Sequence, residues 1–129
     1  MAYSQTTRFM STVLASLALA LPTLAHAELS KPGEVLTVMQ FSAKSVATSV
    51  ELKKRMLAMR DFQRQQTGYV ENAIFENRNP QAKPQYVGVS RWKSLKDWEG
   101  LWTNEQFKKL VASIGEVGEI NPGVYSPVE

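Results

Sequence analysis

The chain has no cysteine and a single histidine, His26. Without cysteine there is no disulfide, no thiol nucleophile and no thiol to carry a lipid, and the absence is compatible with an oxidising compartment without requiring one. His26 lies in a segment that reads as a secretory signal peptide over residues 1–27. Arg8 supplies a short basic start and residues 13–21 (VLASLALAL) an apolar run, before Pro22 and the small-x-small cleavage site Ala25-His26-Ala27. That run falls short of the roughly 20 residues a spanning helix needs, so no stable membrane anchor is expected after cleavage. The expected product is exported, periplasmic or secreted, with a flexible leader at 28–34 and one domain at 35–129.

Such a mature chain contains neither His nor Cys. Ser–His and Cys–His nucleophilic systems are excluded, as are imidazole or thiolate metal sites, and no metal is expected. Charge of one sign is scarce too. Of the 15 basic residues only Arg8 is lost with the leader, and none of the 12 acids, so the net charge falls from +3 to +2. With Lys and Arg scattered, nothing argues for a nucleic-acid partner or a membrane surface.

What remains is an ordered set of patterns. Residues 35–42 (VLTVMQFS) read as a first strand, with Val35, Thr37, Met39 and Phe41 on one face and Leu36, Val38, Gln40 and Ser42 on the other. A helix is expected over 46–66, with Ser45 as N-cap and Leu52, Met56, Met59 and Phe62 as its apolar stripe. Lys53, Lys54, Arg55, Arg60 and Arg64 lie mostly off that stripe, as an anion patch or simply a solvated face. Thr67-Gly68 ends the helix. Residues 69–77 form a second strand, with Val70, Asn72 and Ile74 opposite Tyr69, Glu71, Ala73 and Phe75. A Pro-bounded loop leads to a third strand at 85–92, which makes the pair an antiparallel hairpin.

All three tryptophans follow within a short stretch, at Trp92, Trp98 and Trp102. Ser94 and Asp97 form a capping box for one helical segment, and Thr103 with Gln106 repeats the signature for a second. Phe107, Leu110, Val111 and Ile114 give the second segment an apolar stripe, and Gly115 is its expected stop. Val124-Tyr125 leaves room for a short last strand.

Strand, helix, strand, strand, helix, strand is the order of an α+β, ferredoxin-like split βαβ with an antiparallel sheet. Two helices cover one face of such a sheet. The other face is largely apolar, so a homodimer that packs these faces together is expected.

Thr67-Gly68-Tyr69 opening the second strand, Trp92-Lys93-Ser94 closing the third, and Phe107 fifteen residues after Trp92 are specific in combination. On these marks the chain resembles the antibiotic-biosynthesis-monooxygenase (ABM) domain of the dimeric α/β-barrel superfamily. The resemblance implies a dimer with a cavity between sheet and helices in each subunit. It also implies either haem degradation or oxidation of aromatic or quinol-like substrates without metal or organic cofactor. In the latter, an electron-rich substrate, once deprotonated, itself reduces dioxygen.

The sequence departs from the family at the reactive positions. Many members carry a His nine residues after the tryptophan, where Leu101 stands; the haem-degrading branch uses a His where Val111 stands; some polyketide-oxidising members have an Asn where Gly88 stands. No catalytic set transfers, and the catalytic residues stay unassigned. The candidate cavity residues are Gln40 and Asn72, polar groups within apolar strands, and Trp98 and Trp102, which could stack on a planar ligand. Core packing is the competing role for all three tryptophans. Arg91 could neutralise an oxyanion or simply face solvent.

Two functions fit: a cofactor-independent monooxygenase of a small aromatic or quinol-like substrate, or a non-catalytic dimeric module that binds a small apolar ligand. The lack of a group titrating near neutral pH favours the second, and the family resemblance favours the first.

Overall fold

A computed structural model describes residues 31–128. The reading of residues 1–27 as a signal peptide lies outside the described residues, as does most of the 28–34 leader. The chain divides into two compact units, Met1–Pro32 and Gly33–Glu129, and the second holds every element described below. Among the described residues no helix is long and apolar enough to cross a membrane.

Strand β1 (Val35–Ala43) alternates as its sequence demands: Val35, Thr37, Met39 and Phe41 are buried, Leu36 and Val38 half-buried, and Gln40 exposed. A single 3-10 turn (Val46–Thr48) then leads into helix α1 (Ser49–Gln63). Ser45 N–H donates to Thr48 Oγ1 at 3.1 Å, so Ser45 caps the turn rather than the α-helix itself. The buried face of α1 is Leu52, Met56, Met59 and Gln63, while Phe62 is half-buried and stacks on Phe107 at 6.3 Å.

Strand β2 (Tyr69–Glu76) pairs with β3 (Tyr86–Trp92) as the expected antiparallel hairpin. An irregularity between Tyr69 and Glu71 resets the alternation of β2. Tyr69 therefore joins Asn72 and Ile74 on the helix-covered face instead of opposing them, and its ring meets Trp92 edge-on at 5.9 Å. Helices α2 (Leu95–Leu101) and α3 (Glu105–Val117) follow, then β4 (Gly118–Tyr125).

Ser94 Oγ caps α2 by accepting from Asp97 N–H at 3.1 Å, as its spacing predicts. The cap of α3 is Asn104, whose Oδ1 accepts from Phe107 N–H at 3.0 Å. Thr103, expected there, instead donates its hydroxyl to Gly100 O at 2.7 Å. Gly115 does not stop α3, because Ile114 and Val117 keep packing against the core; the helix ends at Gly118. A Cβ at Gly118 would stand 2.6 Å from Ser42 O, so the close approach of β4 to β1 requires glycine there.

The sheet order is β2-β3-β1-β4, with every neighbouring pair antiparallel. Strand β4 is eight residues long, not the short strand expected, and pairs with β1 from Leu36↔Tyr125 to Ala43↔Gly118. Pro122 and Gly123 are tolerated inside it because β4 is an edge strand, where a missing N–H need not break a ladder. This is the α+β, ferredoxin-like arrangement. Helices cover one face of the sheet, and Trp92, Phe41, Phe107, Leu52, Met56 and Ile114 are fully buried between the layers. Each such side chain stabilises the fold by about 1.5–3 kcal/mol relative to exposure.

Candidate functional site

The floor of the site is the helix-covered side of β1, β2 and β3. Met39 and Phe41 come from β1, Asn72 and Ile74 from β2, Gly88 and Ser90 from β3, each placed there by strand alternation. Helix α1 lays Met56, Met59, Arg60 and Gln63 over them. The hollow they line is partly open to solvent and measures about 20 Å³, room for about one water molecule.

Its polar groups differ in how they are engaged. Ser90 Oγ is committed: it shares a hydrogen bond with Thr37 Oγ1 and accepts from Trp92 Nε1–H at 3.1 Å. Gln63 is buried, and its Nε2–H points at Met39 Sδ, 3.9 Å away. Asn72 Oδ1 is buried and has no hydrogen-bond partner. An acceptor left unmade in a buried site costs about 1–3 kcal/mol, so this amide oxygen is the one strong demand the cavity makes on a ligand. Arg60 stands at its edge, with Nε and Nη2 on Asp61 Oδ1 at 3.2 and 3.0 Å.

Of the four candidate residues, Asn72 alone lines this cavity. Gln40 lies on the opposite face of the sheet, exposed, where Asn121 Nδ2 donates to its Oε1 at 3.5 Å. The odd-numbered residues of β1 face the helices, and an even-numbered neighbour cannot join them. Trp98 and Trp102 stand in a run of touching rings. Tyr69, Trp92, Trp98, Trp102, Phe107 and Phe62 follow one another with centroids 5.0–6.3 Å apart, mostly edge to face. Trp98 is buried and Trp102 half-buried in that run, so both pack the core between α2, α3 and the sheet. Arg91 is ion-paired, with Glu34 at 3.3 Å and Glu71 at 3.5 Å, which leaves the oxyanion role without support. Sequence reasoning named Arg60 only within the basic cluster of the helix, as an anion patch or a solvated face, and missed Gln63. The only signal was spacing, since Gln63 continues the Met56–Met59 stripe at i+4.

The motifs that marked the fold prove to hold its corner together. Gly68 has φ +83°, and a Cβ there would stand 2.3 Å from the Asp97 carboxylate. Lys93 N–H donates to Gly68 O at 2.8 Å, and Ser94 Oγ donates to Asp97 Oδ2 at 2.9 Å. Thr67-Gly68 and Trp92-Lys93-Ser94 thus meet where β3 turns into α2, at a distance from the unpartnered Asn72 oxygen in sequence and role.

Two further hollows lie among the described residues. One of about 220 Å³ lies between the β2–β3 loop and the start of α1, beside Glu76, Gln85 and Tyr86. Tyr86 O–H donates to Glu76 Oε1 at 3.3 Å, and burial, with the Glu76 carboxylate second, raises the Tyr86 phenol above its ordinary pKa. The other, about 270 Å³, is a groove on the uncovered sheet face around Leu36, Ala73, Phe75 and Val89.

No family model matches the sequence, and no curated protein matches it either. Solved structures do. SnoaB, a cofactor-independent oxygenase from Streptomyces nogalater, superimposes with a TM-score of 0.65 at 15% identity, covering 75% of this chain and 95% of its own. The chain shares the fold of that protein. A candidate antibiotic biosynthesis monooxygenase from Deinococcus radiodurans matches with a TM-score of 0.60 at 15% identity, over 74% of this chain and 93% of that one. A dimeric protein of ferredoxin-like fold from Bacteroides fragilis matches at 0.63 and 14% identity, over 75% and 99%.

Proposed function

We propose that the protein is an exported, homodimeric, cofactor-independent oxygenase of a small electron-rich aromatic or quinol-like substrate, bound under α1 against Asn72. The carrying observation is the buried Asn72 Oδ1 without a partner in a cavity whose other strand-borne polar group, Ser90, is already hydrogen-bonded. A substrate hydroxyl that donates to it relieves the unmet acceptor and fixes the ring between Met39, Met56 and Met59. The ABM-like fold supports the reaction class. An activated CH₂ group and dioxygen give a carbonyl and water without an external reductant, once the substrate has lost a proton. The protein supplies a dry, shaped site rather than a base.

Removing Asn72 tests the assignment. Oxygen uptake over a panel of quinols and anthrones should fall about ten- to hundredfold in Asn72→Leu while the dimer survives. Uptake equal to wild type would remove Asn72 from the mechanism.

A second reading has its own observation. Arg60 is the only ionisable side chain among the described residues lining the cavity, and no carboxylate or imidazole stands there to act as a general base. A non-catalytic dimeric module that binds a small apolar ligand fits this equally, and tight binding without oxygen uptake across the panel would select it.

A further inference from the structure

The cavity under α1 makes two polar demands, and together they define a ligand class. One is the buried Asn72 Oδ1, which needs a donor. The other is Arg60, the one charged side chain among the described residues lining the cavity. No carboxylate is among the described residues lining it, so the counter-charge of Arg60 is Asp61, outside the lining.

That contact is readily exchanged. Asp61 is 60% exposed, and such surface ion pairs contribute only about 0–1 kcal/mol. Asp61 meets the guanidinium through a single oxygen, on Nε and Nη2. The outward fork of one Nη1 and the second Nη2 hydrogen remains for another carboxylate, and Arg is suited to bind one there with two parallel hydrogen bonds.

The remaining lining fits a flat ring. Met39, Met56 and Met59 supply unbranched thioether chains, which adapt their rotamers easily and make favourable contacts with aromatic faces and edges. The present volume of about 20 Å³ admits only a water-sized occupant, so a ring enters by displacing these chains. Gly88 leaves room on the floor: a Cβ there would meet Phe41 only at 3.5 Å.

We propose that the cavity selects a hydroxylated aromatic carboxylate, its hydroxyl donating to Asn72 and its carboxylate held by Arg60. This rests on the reading of the cavity as the ligand site, and assigns Arg60 as a specificity-determining residue.

Calorimetric titration without oxygen tests it with three probes: gentisate, its methyl ester, which lacks the charge, and the corresponding dimethoxybenzoate, which lacks the hydroxyl donors. The wild-type protein should bind gentisate at least tenfold tighter than either analogue. Arg60→Gln should erase the preference for acid over ester, Arg60→Lys should keep part of it, and Asp61→Asn should keep or increase it. Asn72→Leu should erase the preference for hydroxyl over methoxyl alone. Circular dichroism of each variant establishes that it is folded.

Equal affinity for acid and ester in the wild type, an acid preference that survives Arg60→Gln, or no binding of any probe would overturn the proposal. Oxygen uptake separates it from the oxygenase reading. An intact acid preference without turnover removes catalysis and leaves the ligand class standing. Turnover of neutral quinols with no acid preference does the reverse.

Discussion

At the scale of single residues, position within the tertiary environment sets the role more than residue type does. Gln40 and Asn72 look alike in sequence, each an amide among apolar strand neighbours. One ends exposed beside Asn121, and the other is half-buried under α1 with its amide oxygen buried and unpartnered. The difference is parity of register, which is readable, combined with which parity the helices cover, which for β2 depends on the irregularity at Tyr69–Glu71. Tyr86 shows a second consequence of environment. Its neutral form is favoured in the folded state, since burial and the Glu76 carboxylate both raise the phenol's pKa. The unfolded chain therefore ionises first, and stability is lost as pH rises from about 10 toward the raised folded value. Urea unfolding from pH 7 to 11 should show a steeper alkaline loss for wild type than for Tyr86→Phe. At neutral pH the variant should be less stable by about 0.5–1 kcal/mol, one modest hydrogen bond.

Among the elements, boundaries depended on competition between local signals. Thr103, with Gln106, carries the capping signature for α3, but its neighbour Asn104 takes the cap. Asn104 wins because its Oδ1 reaches Phe107 N–H while Thr103 is drawn to the carbonyl of Gly100 at the end of α2. Asn104→Ala should cost about 1 kcal/mol, a fall in melting temperature of about 4–8 °C, and Thr103→Ala less than half of that. Equal losses would assign the cap wrongly. Strand β4 teaches a related lesson. Pro122 and Gly123 signal a turn locally, but pairing with β1 along eight residues outweighs them at an edge. Helix α1 carries the site: Gln63 reaches the cavity on the buried stripe of Met56 and Met59, while the lie of the helix axis over the sheet brings Arg60 to its edge.

For the molecule as a whole, the unsettled surface is the sheet face opposite the helices. Leu36, Val38, Val87 and Val89 lie half-buried across its two central strands, and Phe75 and Tyr125 are 58% and 56% exposed at its edges. That is the composition of a face to be covered, and the proposed homodimer covers it with a second copy. Val38→Lys, at the centre of β1, should convert the dimer to a monomer by light scattering while circular dichroism of the subunit is retained. A wild-type monomer at micromolar concentration would refute the dimer. The ion pair of Arg91 with Glu34, each side chain 11% exposed, sits at the border of this face and is best understood as structural.

Element order, hairpin pairing, the split βαβ and the absence of Cys chemistry all follow from residues alone. They rest on short-range rules: strand alternation, helical stripes, caps and the conformational freedom of Gly68. The same letters place Thr67-Gly68 and Trp92-Lys93-Ser94 as marks, and packing shows them to be a corner of the fold rather than reactive groups. Which polar side chain faces a cavity, how large that cavity is, and that Asn72 and Arg60 share it with three methionines come from the way α1 lies across the sheet. A cavity is the space left between layers, and that space is a property of their relative placement, which no local pattern encodes.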